Sequence, residues 1–174
     1  MRMNTRTVFA VAVMFVAVAG SSRAQAPSGL DTVPAKMPFD IPYGTPIGLR
    51  RADRAIDAAL AESQKRGWEE VCAVVDSGAN LVSLQRMDGA QLASIEIAIH
   101  KARTSARYRR ETSAFQTSIQ GGNYFQLTLD DVIASAGGVP LLDGGKLIGA
   151  IGCSGGTASQ DEVVAKAGVA ALDR

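Results

Sequence analysis

From residue 47 onward, apolar positions alternate between two periods, and that alternation predicts the order of elements. Over Ile47 to Arg66, Leu49, Ala52, Ile56, Ala59 and Leu60 recur at helical spacing, with Arg50, Arg54, Asp57 and Lys65 off that face. Gly67 is placed to end the helix. Glu70–Val75 and Leu81–Arg86 read as two strands joined by the turn Asp76-Ser77-Gly78-Ala79-Asn80, hence a hairpin. Gln91–Arg109 carries the longest helical signal, with Leu92, Ile95, Ile99, Ala102 and Ala106 as the stripe expected to face the core. Thr112 is placed to cap a short helix running through Ser118 and stopped by Gly121-Gly122. Leu127–Ala134 is ambiguous and reads as one short helical turn and a short strand. Gly138–Leu142 and Gly145–Ser154 flank Asp143-Gly144 as a closing hairpin. Ser159 followed by Glu162 predicts a capping box for a last helix reaching about Leu172. Hairpins and helices in this order predict an α+β fold, one antiparallel sheet of about five strands flanked by helices.

The first 46 residues follow neither period. Val8–Gly20 is an uncharged apolar run of 13 residues behind Arg2 and Arg6, and Ala24-Gln25-Ala26 has the small-x-small form of a cleavage site. As a helix the run would span about 20 Å, short of the ~30 Å of a hydrocarbon core. Residues 1–26 are therefore expected to be a signal peptide for a periplasmic or secreted protein, with no membrane insertion after cleavage. Residues 27–46 hold five of the chain's six prolines and predict an extended arm, because proline fixes φ and donates no backbone hydrogen bond. Met37, Phe39, Ile41 and Tyr43 alternate with polar or proline positions, so part of the arm is expected in a surface groove of its own or a neighbouring subunit. Residues 47–174 form the folded domain.

Composition narrows the function classes. Losing Arg2, Arg6 and Arg23 with residues 1–26 takes the formal charge from +1 to −2, which is no footprint for nucleic acid. The local cluster Arg103, Arg107, Arg109 and Arg110 reads as a solvated helix face. Cys72 and Cys153 lie in apolar runs; in an oxidising compartment they can form a disulfide or remain two buried thiols. One histidine excludes a multi-histidine metal site. Gly152-Cys153-Ser154-Gly155-Gly156 matches G-x-S-x-G literally, but His100 precedes the serine, contrary to the chain order of that hydrolase pattern. Gly155-Gly156-Thr157 ahead of a helix is either a tight turn or an anion cradle of backbone amides.

The segments VVDSGANLVSLQRMDGA (74–90), SIEIAIHKARTSAR (94–107), GGVPLLDGGKLIGAIGCSGGTASQDEVVAKAG (137–168) and MPFDIPYGTPIGL (37–49) together resemble the GlcG/HbpS family across essentially the whole mature chain. The resemblance implies a single antiparallel sheet flanked by helices and a haem-binding, oligomeric protein. His100 then becomes the candidate iron ligand, sharing a helix face with Glu96, Arg103, Thr104 and Arg107. Glu96 is expected to orient the imidazole, and Lys101, Arg103 or Arg107 to meet the propionates. Met87 is a weaker second ligand; Tyr43, Tyr108, Tyr124 and Cys153 are weaker still. The expected function is haem sequestration or sensing outside the cytoplasm, as a homo-oligomer, with a membrane sensor or transporter as a possible partner. Two rivals stay open: an enzyme on a small carboxylate held by Arg103 or Arg107 and the Gly155-Gly156 amides, and a non-catalytic oligomeric scaffold.

Overall fold

The computed structural model describes residues 35–37 and 39–172, so the expected signal peptide and residues 27–34 and 38 of the arm lie outside the described residues. The element order is α1 (Leu49–Arg66), β1 (Val71–Asp76), β2 (Leu81–Arg86), α2 (Ser94–Tyr108), α3 (Ser113–Gln120), β3 (Gly138–Asp143), β4 (Lys146–Ser154) and α4 (Ala158–Ala170). The α+β class is as expected, and the sheet has four strands in the order β2-β1-β4-β3, every pairing antiparallel. The ambiguous stretch near Leu127 contributes no strand: Tyr124–Thr128 is a short 3-10 helix.

Strand alternation sorts side chains onto two layers. Cys72, Val74, Val139, Leu141, Ile151 and Cys153 meet Ala52, Ile56 and Ala59 of α1 and Val164 and Ala165 of α4. Val71, Ala73, Val75 and Ala150 face the other way, onto Ala98, Ile99, Ala102 and Ala106 of α2. Cys72 sits directly opposite Cys153 in the β1–β4 register, and the two form a disulfide with Cα atoms 4.2 Å apart. Both hairpins are those predicted. In the second, Gly144 and Gly145 take φ of +53° and +75°, the conformation a two-residue hairpin turn requires.

Three local expectations are corrected. Leu92 precedes α2 and is exposed, while Ser94, Ala98, Lys101 and Ser105 join the buried side of the helix. The reason is close approach: Gly152 and Gly138 present bare backbone to α2, and a Cβ on Gly152 would strike the Ala98 carbonyl and sit 2.5 Å from the Ala102 nitrogen. Gly152→Ala is therefore expected to cost about 2–3 kcal/mol, read as a lowered urea midpoint. The capping box of α4 starts two residues before the predicted one: Gln160 N donates to Thr157 Oγ1 and Thr157 N to Gln160 Oε1. Glu162 instead accepts from Lys166 at 2.9 Å. Thr112 does not cap α3; its hydroxyl accepts from Gly138 N at 2.9 Å and so ties α3 to the start of β3.

The described part of the arm lies on its own domain. Gly44 N donates to Leu147 O and Leu147 N to Pro42 O, extending the pairing of β4 past the end of β1. Two of the four arginines read as a solvated face, Arg109 and Arg110, take part in this with their side chains. Arg109 donates to Ile41 O at 3.1 Å, and Arg110 stacks 3.6 Å from the Phe39 ring and 4.3 Å from that of Phe115. The Tyr43 hydroxyl donates to Arg107 O at 3.0 Å. The C-terminus of α2 is thus a clamp for the arm.

Candidate functional site

His100 follows Ile99 on α2, which turns its imidazole away from the tightest contact with the sheet. The ring is half-buried, and its Nε2 is fully enclosed without a hydrogen-bond partner. Burial first, then the charges of Arg103 and Arg107, lower its pKa from the usual 6.5. A neutral imidazole with a free nitrogen is the form that ligates a metal. Its one-turn neighbour Glu96 is exposed and makes no hydrogen bond to it among the described residues, contrary to the expected orienting role.

The rest of this face is used to hold a loop. Thr104, fully buried, donates to Asp131 O at 2.8 Å and accepts from Ile133 N at 3.1 Å. Tyr108 donates to Asp130 O at 2.7 Å, and Arg107 pairs with the Asp131 carboxylate. Asp131 has a φ of +55°, a left-handed conformation that these contacts hold in place. The loop leading here exposes Tyr124, Phe125 and Leu127. Arg103 is half-buried beside His100 and has no carboxylate partner among the described residues.

Two expected site residues are elsewhere. Lys101 is 1% exposed and points inward, its Nζ 2.5 Å from Asp161 Oδ2, so it is not a surface cation for a propionate. A charged residue on the inward stripe of α2 demands a buried partner, and that partner is what sequence reading did not supply. Met87 lines a cleft of about 430 Å³ with Asp57, Leu60 and Gln85, between α1 and β2. That is the α1 side of the sheet, whereas His100 lies on the α2 side. Of the other weak candidates, Cys153 is consumed by the disulfide. The Tyr43 and Tyr108 hydroxyls are bonded to main-chain oxygens, and Tyr124 is exposed.

The hydrolase and anion-cradle patterns also resolve. Ser154 is buried and its hydroxyl donates to Ser94 Oγ at 3.1 Å, so it faces no substrate. Gly156 N donates to Asp161 Oδ1 at 3.0 Å and Thr157 N to Gln160 Oε1 at 2.8 Å. The Gly156 and Thr157 amides are thus taken by side chains of α4 and are not free to hold a carboxylate.

A single antiparallel sheet between α1 with α4 and α2, carrying one half-buried histidine on α2, defines the class of protein. The family model described as "Haem degrading protein HbpS-like" matches residues 47–170, and the chain belongs to that family. Escherichia coli GlcG is 40% identical over 108 residues, covering 62% of this chain and 81% of GlcG. The crystal structure of a double mutant of Streptomyces reticuli HbpS superposes with a TM-score of 0.68 at 28% identity, over 80% of this chain and 94% of that one. The crystal structure of a PduOC–haem complex gives 0.67 at 28% identity, over 73% and 95%.

Proposed function

We propose that this chain is an exported haem-binding protein that sequesters or senses haem outside the cytoplasm, with His100 as the iron ligand. The observation that carries the reading is His100 Nε2, enclosed and without a partner, on an imidazole whose pKa burial lowers, in a chain of the HbpS-like family. A haem needs an imidazole or soft donor, apolar surface and cations near its propionates. His100 supplies the donor; Arg103 and the exposed side of Arg107 supply the cations. Thr104 and Asp131 fix the loop that brings Tyr124, Phe125 and Leu127 to the surface, and these supply apolar area. Haem, when bound, adds an iron centre capable of exchanging ligands and electrons. The protein's own residues hold it, orient it and limit its contact with water.

Export is supported by the leader sequence and by the Cys72–Cys153 disulfide, which suits an oxidising compartment. The exposed apolar residues of the 124–127 segment and Leu92 make association into a homo-oligomer part of the same proposal, with a membrane sensor or transporter as its outlet. Haemin titration of the full chain beside His100→Ala tests the site. Removing an iron ligand should weaken binding by more than the ~10–100-fold lost with a supporting partner, and should alter the Soret band. Identical spectra and affinities for both proteins would remove His100 from the iron.

A further inference from the structure

Glu70, immediately before β1, is fully buried, and neither carboxyl oxygen has a hydrogen-bond partner. It lies at the end of the sheet where three elements converge. Val71 is in register with Ser154 at the end of β4. Asp161 enters from the first turn of α4, and Lys101 crosses from α2. The crossing depends on Gly137, whose φ is +118°; a Cβ there would lie 2.7 Å from Asp161 Cβ and 3.0 Å from Lys101 Nζ. The cluster thus contains two carboxyl groups and one ammonium, all at 3% exposure or less.

Charge balance decides the protonation state. Two carboxylates against one ammonium would leave a net negative charge without water to solvate it, which a protein interior resolves by keeping a proton. Asp161 is the ionised member, because it accepts from Lys101 Nζ at 2.5 Å and from Gly156 N at 3.0 Å. Glu70, to which the Lys101 ammonium makes no hydrogen bond, is the member that keeps the proton.

We propose that Glu70, Asp161 and Lys101 form a buried proton-binding site that couples release of one proton to loosening of α2 and α4 from the end of the sheet. The charged groups facing Glu70 are Asp161 from α4 and Lys101 from α2, with the Gly156 amide between β4 and α4. Burial, then Asp161, raises the Glu70 pKa from 4.5 to about 8, against the opposing pull of Lys101 and Gly156. A carboxyl whose folded pKa is raised stabilises most below its unfolded value. That contribution is lost as pH rises from 4.5 towards 8 and changes no further above it.

Amide hydrogen exchange on the full chain, corrected for intrinsic rates, tests this between pH 5.5 and 9.5. The opening constant for the middle of α2 and the first turns of α4 should rise ~10-fold per pH unit up to about pH 8, then level, because opening releases one proton. Glu70→Gln, which mimics the protonated acid, should flatten the profile. A flat wild-type profile, or a Glu70→Gln profile that tracks the wild type, overturns the proposal. If the variant does not fold, carbon-13 spectra of the wild-type side-chain carboxyls decide. One glutamate carboxyl titrating near pH 8 supports the site, and all of them titrating below pH 6 overturns it.

Discussion

Lys101→Ala is expected to destabilise the domain by about 3–5 kcal/mol, the cost of leaving one partner of a buried ion pair uncompensated. For a domain of this size that is a fall in melting temperature on the order of 10 °C. The loss has a specific origin. Lys101 Nζ is the cation within 2.5 Å of Asp161 Oδ2, and a second carboxyl, Glu70, lies beside the same aspartate. Without the ammonium, Asp161 retains one donor, Gly156 N, and must take up a proton or admit water. Removing both charges, as Lys101→Met with Asp161→Asn, should cost less than the sum of the two single changes. A replaced pair leaves no unpaired charge behind. Thermal melts of the four proteins across pH measure this, and strict additivity would mean that the pair does not act as a unit.

The disulfide carries the second large effect. Cys72 and Cys153 are separated by 81 residues in the chain, so the bond closes a long loop in the unfolded state. By the loop-entropy relation its removal should cost about 4–5 kcal/mol. The pair Cys72→Ala and Cys153→Ala is the cleaner probe, because both sulfurs are fully buried among Val74, Ile151 and Val164 and a reductant must wait for opening. With a urea slope of ~2 kcal/mol per molar, the midpoint should fall by about 2 M. An unchanged midpoint would show that the reduced chain already holds β1 against β4 in its unfolded ensemble.

Much of the fold was legible because periods of 2.0 and 3.6 residues leave different traces. Both hairpins and all four helices fall within a few residues of the expected bounds. What failed did so where tertiary packing overrides local pattern. The inward side of α2 was read from its largest apolar residues, yet Gly152 and Gly138 bring the sheet so close that Ser94, Ala98 and Lys101 fit there. The cap of α4 was placed on Ser159 and Glu162, but the turn closes through Asp161 and starts the helix at Ala158 after Thr157. For the cysteines, strand placement was visible and strand adjacency was not, since β1 and β4 pair across 81 residues at the disulfide.

The candidate site was legible in a similar measure. His100 stood out as the single histidine on an amphipathic helix, and the structure places its ring half-buried with an unpartnered Nε2. Lys101 was misread because one helical position separates an outward residue from an inward one. Thr104 and Arg107 lie on the α2 face expected of them, but their contacts run to Asp131 and Ile133, about 24 to 29 residues away in a stretch without periodicity. Glu70 gave no sign in the sequence, since its importance comes only from Asp161 and Lys101 meeting it at the end of the sheet.

The most direct measurement is a titration of the full chain with haemin, followed by absorbance, beside a parallel titration with iron-free protoporphyrin. The predicted result is a saturable Soret shift for haemin and binding at least ~10-fold weaker for the iron-free ring, which forfeits about 1.4 kcal/mol or more with its ligand. No saturable shift with haemin, or equal affinity for the two rings, would contradict a haem held through its iron by this protein.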